Sequence, residues 1–219
     1  MQSFRGYAKY YDMIYRKKPY AAEAMEVYRM AGKPKRILDI GAGTGRHART
    51  WCRFAEVMCV EPSEEMVKVA YKHKNITYFV GQVTEFFECF QYTFDAAFAM
   101  FNVLGYIGYI GGVFLHLPLK LGGYFIFDIW EPGPGQKPTV VIRKFKDFIR
   151  LVVPLEDPYY RIFIIKGNRI VVDEYHQVEV FQRESIEKMA SVCGFKVCSR
   201  KRLGGWSCRY KLQKVKEVL

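Results

Sequence analysis

The sequence predicts an α/β fold: a mostly parallel, doubly wound sheet with an antiparallel β layer inserted after the fifth strand. Three observations carry this. As far as Trp130, short apolar runs alternate with helical patterns, as parallel strands and their crossover helices do. After Glu131-Pro132-Gly133-Pro134-Gly135 the texture changes to long β-rich runs with a Gly167-Asn168 turn between them. The chain has 219 residues, half of them apolar, which is the size of one large domain around one core.

Residues 21–30 form a helix candidate ending at Gly32, followed by a strand at 36–40 and a glycine-rich turn. Residues 45–53 open the next helix, and 57–60 make the second strand. Ser63 with Glu64 and Glu65 starts a further helix, because a serine caps free N–H groups and first-turn acids suit the macrodipole. Strands three, four and five are expected at 76–80, 94–100 and 124–130, all short apolar runs of the kind buried on both faces. The β-rich runs are 139–153 and 159–181; a helix at 182–193 stops at Gly194, and strands at 195–201 and 206–214 close the chain.

Composition excludes several classes. The segment 1–20 mixes Arg5, Lys9, Asp12, Arg16, Lys17 and Lys18 with aromatics, so it lacks a signal-peptide core and a cytoplasmic location is expected. Residues 96–119 carry no formal charge and are long enough to cross a bilayer. Asn102, four glycines, His116 and Pro118 argue instead for a soluble core, and no membrane contact is expected. Six cysteines without a C-x-x-C pair and only four histidines give no metal-ligand spacing, so no metal is expected and the thiols read as free. The net charge of +12 is uneven: residues 1–132 hold 16 Lys/Arg against 13 Asp/Glu, and residues 133–219 hold 18 against 9. That excess suits phosphates or an acidic surface, or simply a solvated basic face.

The strongest chemical signal is Asp39-Ile40-Gly41-Ala42-Gly43-Thr44-Gly45-Arg46, a strand running into Gly-x-Gly-x-Gly and then a helix. Glycines let a ligand approach the main chain, and a helix start offers free N–H donors. Glu61, twenty residues after Gly41, ends the second strand, where an acid can accept both ribose hydroxyls. A nicotinamide fingerprint needs a glycine where Arg46 stands.

Asp39 with this glycine spacing instead resembles motif I of class I S-adenosylmethionine-dependent methyltransferases. Glu61-Pro62 through Met66 resembles the second motif, Gly81-Gln82-Val83 the third with Gln82 in place of the usual acid, and the run from Asp95 through Met100, Phe101 and Asn102 to Tyr106 the fourth strand and its active-site loop. The N-terminal tyrosines from Tyr7 to Tyr15, that loop and Trp130 are similar to N-methyltransferases acting on nucleotide-linked amino sugars. The resemblance implies a Rossmann-like fold, S-adenosyl-L-methionine as cofactor and a tyrosine segment folding over it as a lid.

It also divides a single domain 1–219 into a lid and helix (1–32), a cofactor-binding core (33–130), an antiparallel substrate-side insertion (131–181) and a closing helix and strands (182–219). Cofactor contacts are expected from Tyr15, Asp39, Gly41, Ala42, Gly43, Arg46, Glu61, Pro62, Met66, Gln82, Val83, Met100 and Phe101. Substrate contacts are expected from Tyr106, Asp128 and Trp130, and catalytic roles from Tyr15, Asn102 and His176. Each has a plainer reading: Tyr15 as packing, Asp128 as a turn cap, Trp130 as a core seal, and His176 as a core histidine on a face with Val172, Val178 and Val180. Arg143, Lys144, Lys146 and Arg150 are candidates for a diphosphate or for a solvated strand face.

One departure stands out. Residues 107–121 carry Lys120 as their only charge where the family has an amphipathic helix, so that helix must be short or its apolar face covered, a second copy of the chain being one candidate. The expected function is methyl transfer to a small-molecule acceptor, an amine on a sugar or similar metabolite. Two alternatives stay open: a nucleic-acid methyltransferase, disfavoured by the Met-Phe-Asn-Val loop, and a cofactor-fold binding protein without turnover.

Overall fold

The computed structural model describes residues 4–133 and 135–218; residues 1–3 of the expected lid, Pro134 of the expected linker and Leu219 lie outside the described residues. The elements run α1 (Ala8–Ile14), α2 (Tyr20–Met30), β1 (Arg36–Ile40), α3 (Ala48–Trp51), β2 (Glu56–Glu61), α4 (Glu64–Val69), β3 (Ile76–Val80), α5 (Val83–Cys89) and β4 (Phe94–Ala99). There follow α6 (Val103–Ile107), α7 (Ile110–His116), β5 (Leu119–Trp130), the meander β6 (Val141–Lys144), β7 (Ile149–Pro154), β8 (Tyr159–Lys166) and β9 (Arg169–Gln177), then α8 (Arg183–Val192), β10 (Phe195–Gly204) and β11 (Ser207–Lys214).

The main sheet has the order β10-β11-β5-β4-β1-β2-β3. Strands β1 to β5 are mutually parallel, and β11 joins β5 antiparallel. Alternation explains why Ile37, Leu38 and Ile40 of β1 are all apolar. Leu38 and Ile40 enter one buried cluster with Ala97, Phe125 and Phe127, whereas Ile37 enters the other with Val57, Phe98 and Ile126. Both faces are therefore covered, as in a doubly wound sheet. The strand order reverses between β1 and β4, and a crevice at the carboxyl ends of such strands is where ligands bind.

Local chemistry sets the boundaries. Ser63 caps α4, its Oγ accepting from the Met66 N–H at 3.3 Å. The helix expected at 45–53 shortens to α3, because Gly45 is left-handed at φ 73° and cannot start a right-handed helix. Helix α6 stops at Gly108, φ 73°, and the uncharged stretch after it holds only the short helix α7. Ile110, Val113 and Phe114 of α7 pack on Ile186 and Ala190 of α8 and on Phe195 of β10. The chain's own closing helix thus covers these three residues, whereas Tyr109, Leu115 and Leu121 of the same stretch stay exposed. No helix among the described residues is long and apolar enough to cross a membrane.

The inserted strands form a separate four-stranded antiparallel sheet in the order β6-β7-β8-β9. Its buried face, Ile162, Ile164 and Val172, packs against Tyr7, Ile14 and Phe148. The N-terminal segment is thus part of the core of that layer.

Candidate active site

At the end of β1 the turn is built from Gly41, Gly43 and Gly45, with φ values of 65°, 55° and 73°. A Cβ on Gly41 would lie 2.5 Å from Val103 Cγ1, whereas one on Gly43 would meet open space. Glu61, at the end of β2, accepts the Gly43 N–H on Oε2 at 2.8 Å and the Ser63 N–H on Oε1 at 2.9 Å. Burial pushes its carboxyl pKa upward, and these two N–H groups partly offset that. Asp39 is buried with Oδ2 lacking a protein partner; burial, and then the neighbouring Glu61 charge, hold its pKa well above the usual carboxylate range.

Beyond this turn lies a cavity of about 270 Å³. Of the residues expected to touch a cofactor, Tyr15, Gly41, Gly43, Glu61, Pro62, Met66, Gln82, Met100 and Phe101 line it, as does Asn102. Four expected residues lie outside its lining. Asp39 stays inside the sheet, and the Ala42 N–H is taken by the Val60 carbonyl at 3.2 Å. Val83 packs into the core beside Phe86, and the Arg46 guanidinium turns to Asp12 at 3.4 Å and the ring of Tyr20.

A second cavity of about 740 Å³ adjoins the first. Tyr15, Phe101, Tyr106, Trp130, Arg150 and Ile162 line both, so the two spaces share a wall. Lys17, Lys18, Lys137, Arg143 and Arg150 line the larger cavity, and no Asp or Glu does among the described residues. His176 also stands in its wall, and Trp130 meets Tyr160 and Trp206 edge-on there.

The loop after β4 is strained. Phe101 and Asn102 are successive left-handed residues with φ of 68° and 61°. Such conformations cost about 1–3 kcal/mol each and persist only when surroundings over-determine them. Here Asn102 Oδ1 accepts the Trp130 N–H at 2.8 Å, and the Phe101 N–H points to Asp128 Oδ2 at 3.4 Å. Asn102 therefore ties this loop to β5. Phe101 meets the Tyr15 ring edge-on at 4.9 Å.

Asp128 lines neither cavity. Its carboxylate is held by Arg209 of β11, whose Nε and Nη2 donate at 2.7 and 3.0 Å, and Arg209 also reaches Glu23 and Glu26 of α2. The register pairs Arg209 with Asp128 directly across the sheet, which no local pattern in β5 could show. Sequence reasoning also missed the N-terminal anchor Glu174, whose carboxylate takes the N–H groups of Phe4, Gly6 and Tyr7 at 2.7–3.0 Å. Trp206 and Lys137 went unnoticed as well, since a lining position on a loop leaves no periodic signal.

Residues 37–110 match the family model of a methyltransferase domain. The fold is a methyltransferase fold. No curated protein sequence matches the chain. Among solved structures, an S-adenosylmethionine-dependent methyltransferase from Clostridium acetobutylicum superposes with a TM-score of 0.77 at 17% identity, covering 98% of this chain and 100% of that one. CalS10, an amino pentose methyltransferase from Micromonospora echinaspora solved with S-adenosylmethionine bound, gives 0.73 at 17% identity over 98% and 99%. The sugar N-methyltransferase KedS8 from Streptoalloteichus gives 0.72 at 19% identity over 94% and 93%. The superposition spans nearly the whole chain, so the methyltransferase fold here includes the antiparallel layer and the closing strands as well as residues 37–110.

Proposed function

We propose that this chain transfers a methyl group from S-adenosyl-L-methionine to an amine on a small, negatively charged metabolite, a sugar derivative by its likeness to CalS10 and KedS8. The observation that carries the reading is the pair of cavities meeting at Tyr15, Phe101, Tyr106 and Trp130, with the glycine turn in one and, in the other, five cations, of which Lys18 is paired with Glu23, and no carboxylate in the lining among the described residues.

The smaller cavity fits an adenosine. Glu61 keeps one lone pair on each oxygen for ribose hydroxyls, and its N–H donors hold the carboxylate in place. Pro62, Met66 and Gln82 supply the apolar slot and an amide for the base. When bound, the cofactor supplies an electrophilic methyl on a sulfonium. The residues then have one task, to align donor and acceptor and exclude water. Tyr15, Phe101 and Tyr106 do so at the shared wall, and the N-terminal segment closes over them.

The cations define the acceptor. Arg150 donates from Nε to the Tyr7 hydroxyl at 2.6 Å and pairs with no carboxylate among the described residues, so its remaining N–H groups are available to an anion. Phosphate groups on a sugar would meet Arg150 inside and Lys17, Lys137 and Arg143 at the rim. On this reading the chain works in the cytoplasm, without a metal and with a homodimer as its expected assembly.

A turnover screen tests it. Amino sugars with and without a nucleoside diphosphate are incubated with the protein and S-adenosylmethionine, and S-adenosylhomocysteine is measured. Release should come with the phosphorylated amines and change little with salt. Release only with RNA, lost about 10³-fold between 50 and 200 mM salt, would assign the protein to nucleic acid. No release with any acceptor would leave a binding protein.

A further inference from the structure

The register of the inserted sheet sets two arginines side by side. Arg143 of β6 pairs directly with Arg150 of β7, and both line the larger cavity, so the two side chains leave the same face of the sheet. Residues opposed in this way have Cβ atoms about 4.5–5.5 Å apart, and like charges there repel each other. An arginine is not deprotonated in a protein, so neither can relieve the repulsion by losing a proton. Elsewhere on this sheet an arginine is answered by an acid on the neighbouring strand: Arg161 of β8 donates from Nε and Nη2 to Asp173 of β9 at 2.8 and 2.7 Å. Among the described residues no carboxylate lines the larger cavity, and neither Arg143 nor Arg150 is paired with one.

Arg150 is the member of this pair that reaches the donor side. It lines both cavities, and among the described residues it is the one cation in the lining of the smaller. Tyr7 fixes its plane: Nε donates to the Tyr7 hydroxyl at 2.6 Å, and the guanidinium carbon lies 5.7 Å from the centre of that ring. The remaining N–H groups, on Nη1 and Nη2, form a fork that suits two oxygens of one anion. The wall around it is apolar, with Val141 and Val152 as the next cavity-facing pair along the strands and Ile162 beside them, and apolar walls strengthen a charge interaction. The other cations of the cavity are placed differently. Lys18 is taken by Glu23, while Lys17 and Lys137 are exposed, where water and salt leave a charge pair little weight.

We infer that Arg143 and Arg150 form a clamp for one dianionic phosphate monoester of the acceptor, and that Arg150 selects acceptors whose phosphate lies close to the amine. This rests on the methyl-transfer reading. The methyl group moves across the wall that the two cavities share, and Arg150 stands in that wall, so an anion held on it is a neighbour of the reacting nitrogen. One dianion balances the two guanidiniums. A second phosphate and a nucleoside would lie beyond the pair, toward the exposed lysines, and are dispensable. The substrate class is a small phosphorylated amine, such as an amino sugar monophosphate.

Inorganic phosphate, titrated into the full chain saturated with S-adenosylhomocysteine and followed by phosphorus-31 NMR, tests the clamp without any turnover. The wild type should show one saturable site, weakened about 10–10²-fold in R150M, the range for losing charge-assisted hydrogen bonds, and by a smaller factor in R143M. Arg143 is exposed, so R143M reports on the pair even if R150M fails to fold. R161M, whose arginine lines neither cavity, should bind phosphate as the wild type does. An amino sugar, its 1-phosphate and its nucleoside diphosphate conjugate are then compared as acceptors. The kcat/KM of the 1-phosphate should exceed that of the uncharged sugar by about 10–10²-fold and stay within about tenfold of the conjugate, and R150M should remove most of the advantage of the phosphate. A wild type without a saturable phosphate site, R143M and R150M that bind phosphate unchanged, or turnover of the conjugate but not of the 1-phosphate overturns the inference and leaves the methyl-transfer reading standing. So does an R150M that loses S-adenosylhomocysteine in place of phosphate, which would give Arg150 to the cofactor's own carboxylate. Release of S-adenosylhomocysteine with none of the amines overturns the methyl-transfer reading instead, whatever the phosphate titration shows.

Discussion

Arg209→Ala is expected to lower the unfolding free energy by about 3–5 kcal/mol, the range for removing one partner of a buried ion pair. Arg209 is 2% exposed and spans three carboxylates, those of Asp128, Glu23 and Glu26. Taking it away leaves Asp128, equally buried, without compensation in the middle of the sheet. Glu23 keeps His47 at 2.6 Å and Lys18, and its carboxyl, which burial alone would raise, is held down at about 2 by them, so the cost falls mainly on Asp128. Lys201→Ala is the control, since the Lys201–Glu26 pair is exposed and such pairs contribute about 0–1 kcal/mol. Urea titration decides the matter. A loss below about 1 kcal/mol for Arg209→Ala would mean that this network does not hold β11 to β5 and α2.

Glu61→Ala is expected to weaken S-adenosylhomocysteine by about 1.5–3 kcal/mol, the range for hydrogen bonds to a charged acceptor. Two effects act in the same direction. The ribose loses its acceptor, and the N–H groups of Gly43 and Ser63 lose the carboxylate that fixes the turn around the cavity. Glu61→Gln should fall between, because an amide keeps one accepting oxygen and presents an N–H to the other donor. Calorimetry gives both numbers. Unchanged affinity in Glu61→Ala would place the ribose elsewhere.

The parallel half of the fold was legible because strands buried on both faces have no polar side to confuse the pattern, and Ile37, Leu38 and Ile40 show this in a single strand. The residues that line the smaller cavity were legible for a related reason: glycines with φ above 50° and an acid at a strand end have few other uses. What stayed hidden depends on distant pairing. Asp128 read as a substrate contact because its partner Arg209 stands 81 residues later on a strand whose neighbour no local pattern fixes. Tyr7 read as lid alone because the sheet face it fills, with Ile164 and Val172, comes from two later strands. Glu174 sits in an alternating polar and apolar run and looks like any solvated acid until the N-terminal amides are found on it. The short α3 was missed for a local reason, a helix expected through a left-handed glycine.

The central claim is that the cavity beside Glu61 and the glycine turn is an S-adenosylmethionine site. Isothermal titration of the full chain with S-adenosylhomocysteine and, separately, with NAD tests it most directly. Arg46 stands where a dinucleotide turn needs glycine, and its guanidinium is engaged with Asp12 and Tyr20. The account predicts one saturable site for S-adenosylhomocysteine and no measurable heat with NAD. NAD binding as tightly as S-adenosylhomocysteine, or more tightly, would contradict it.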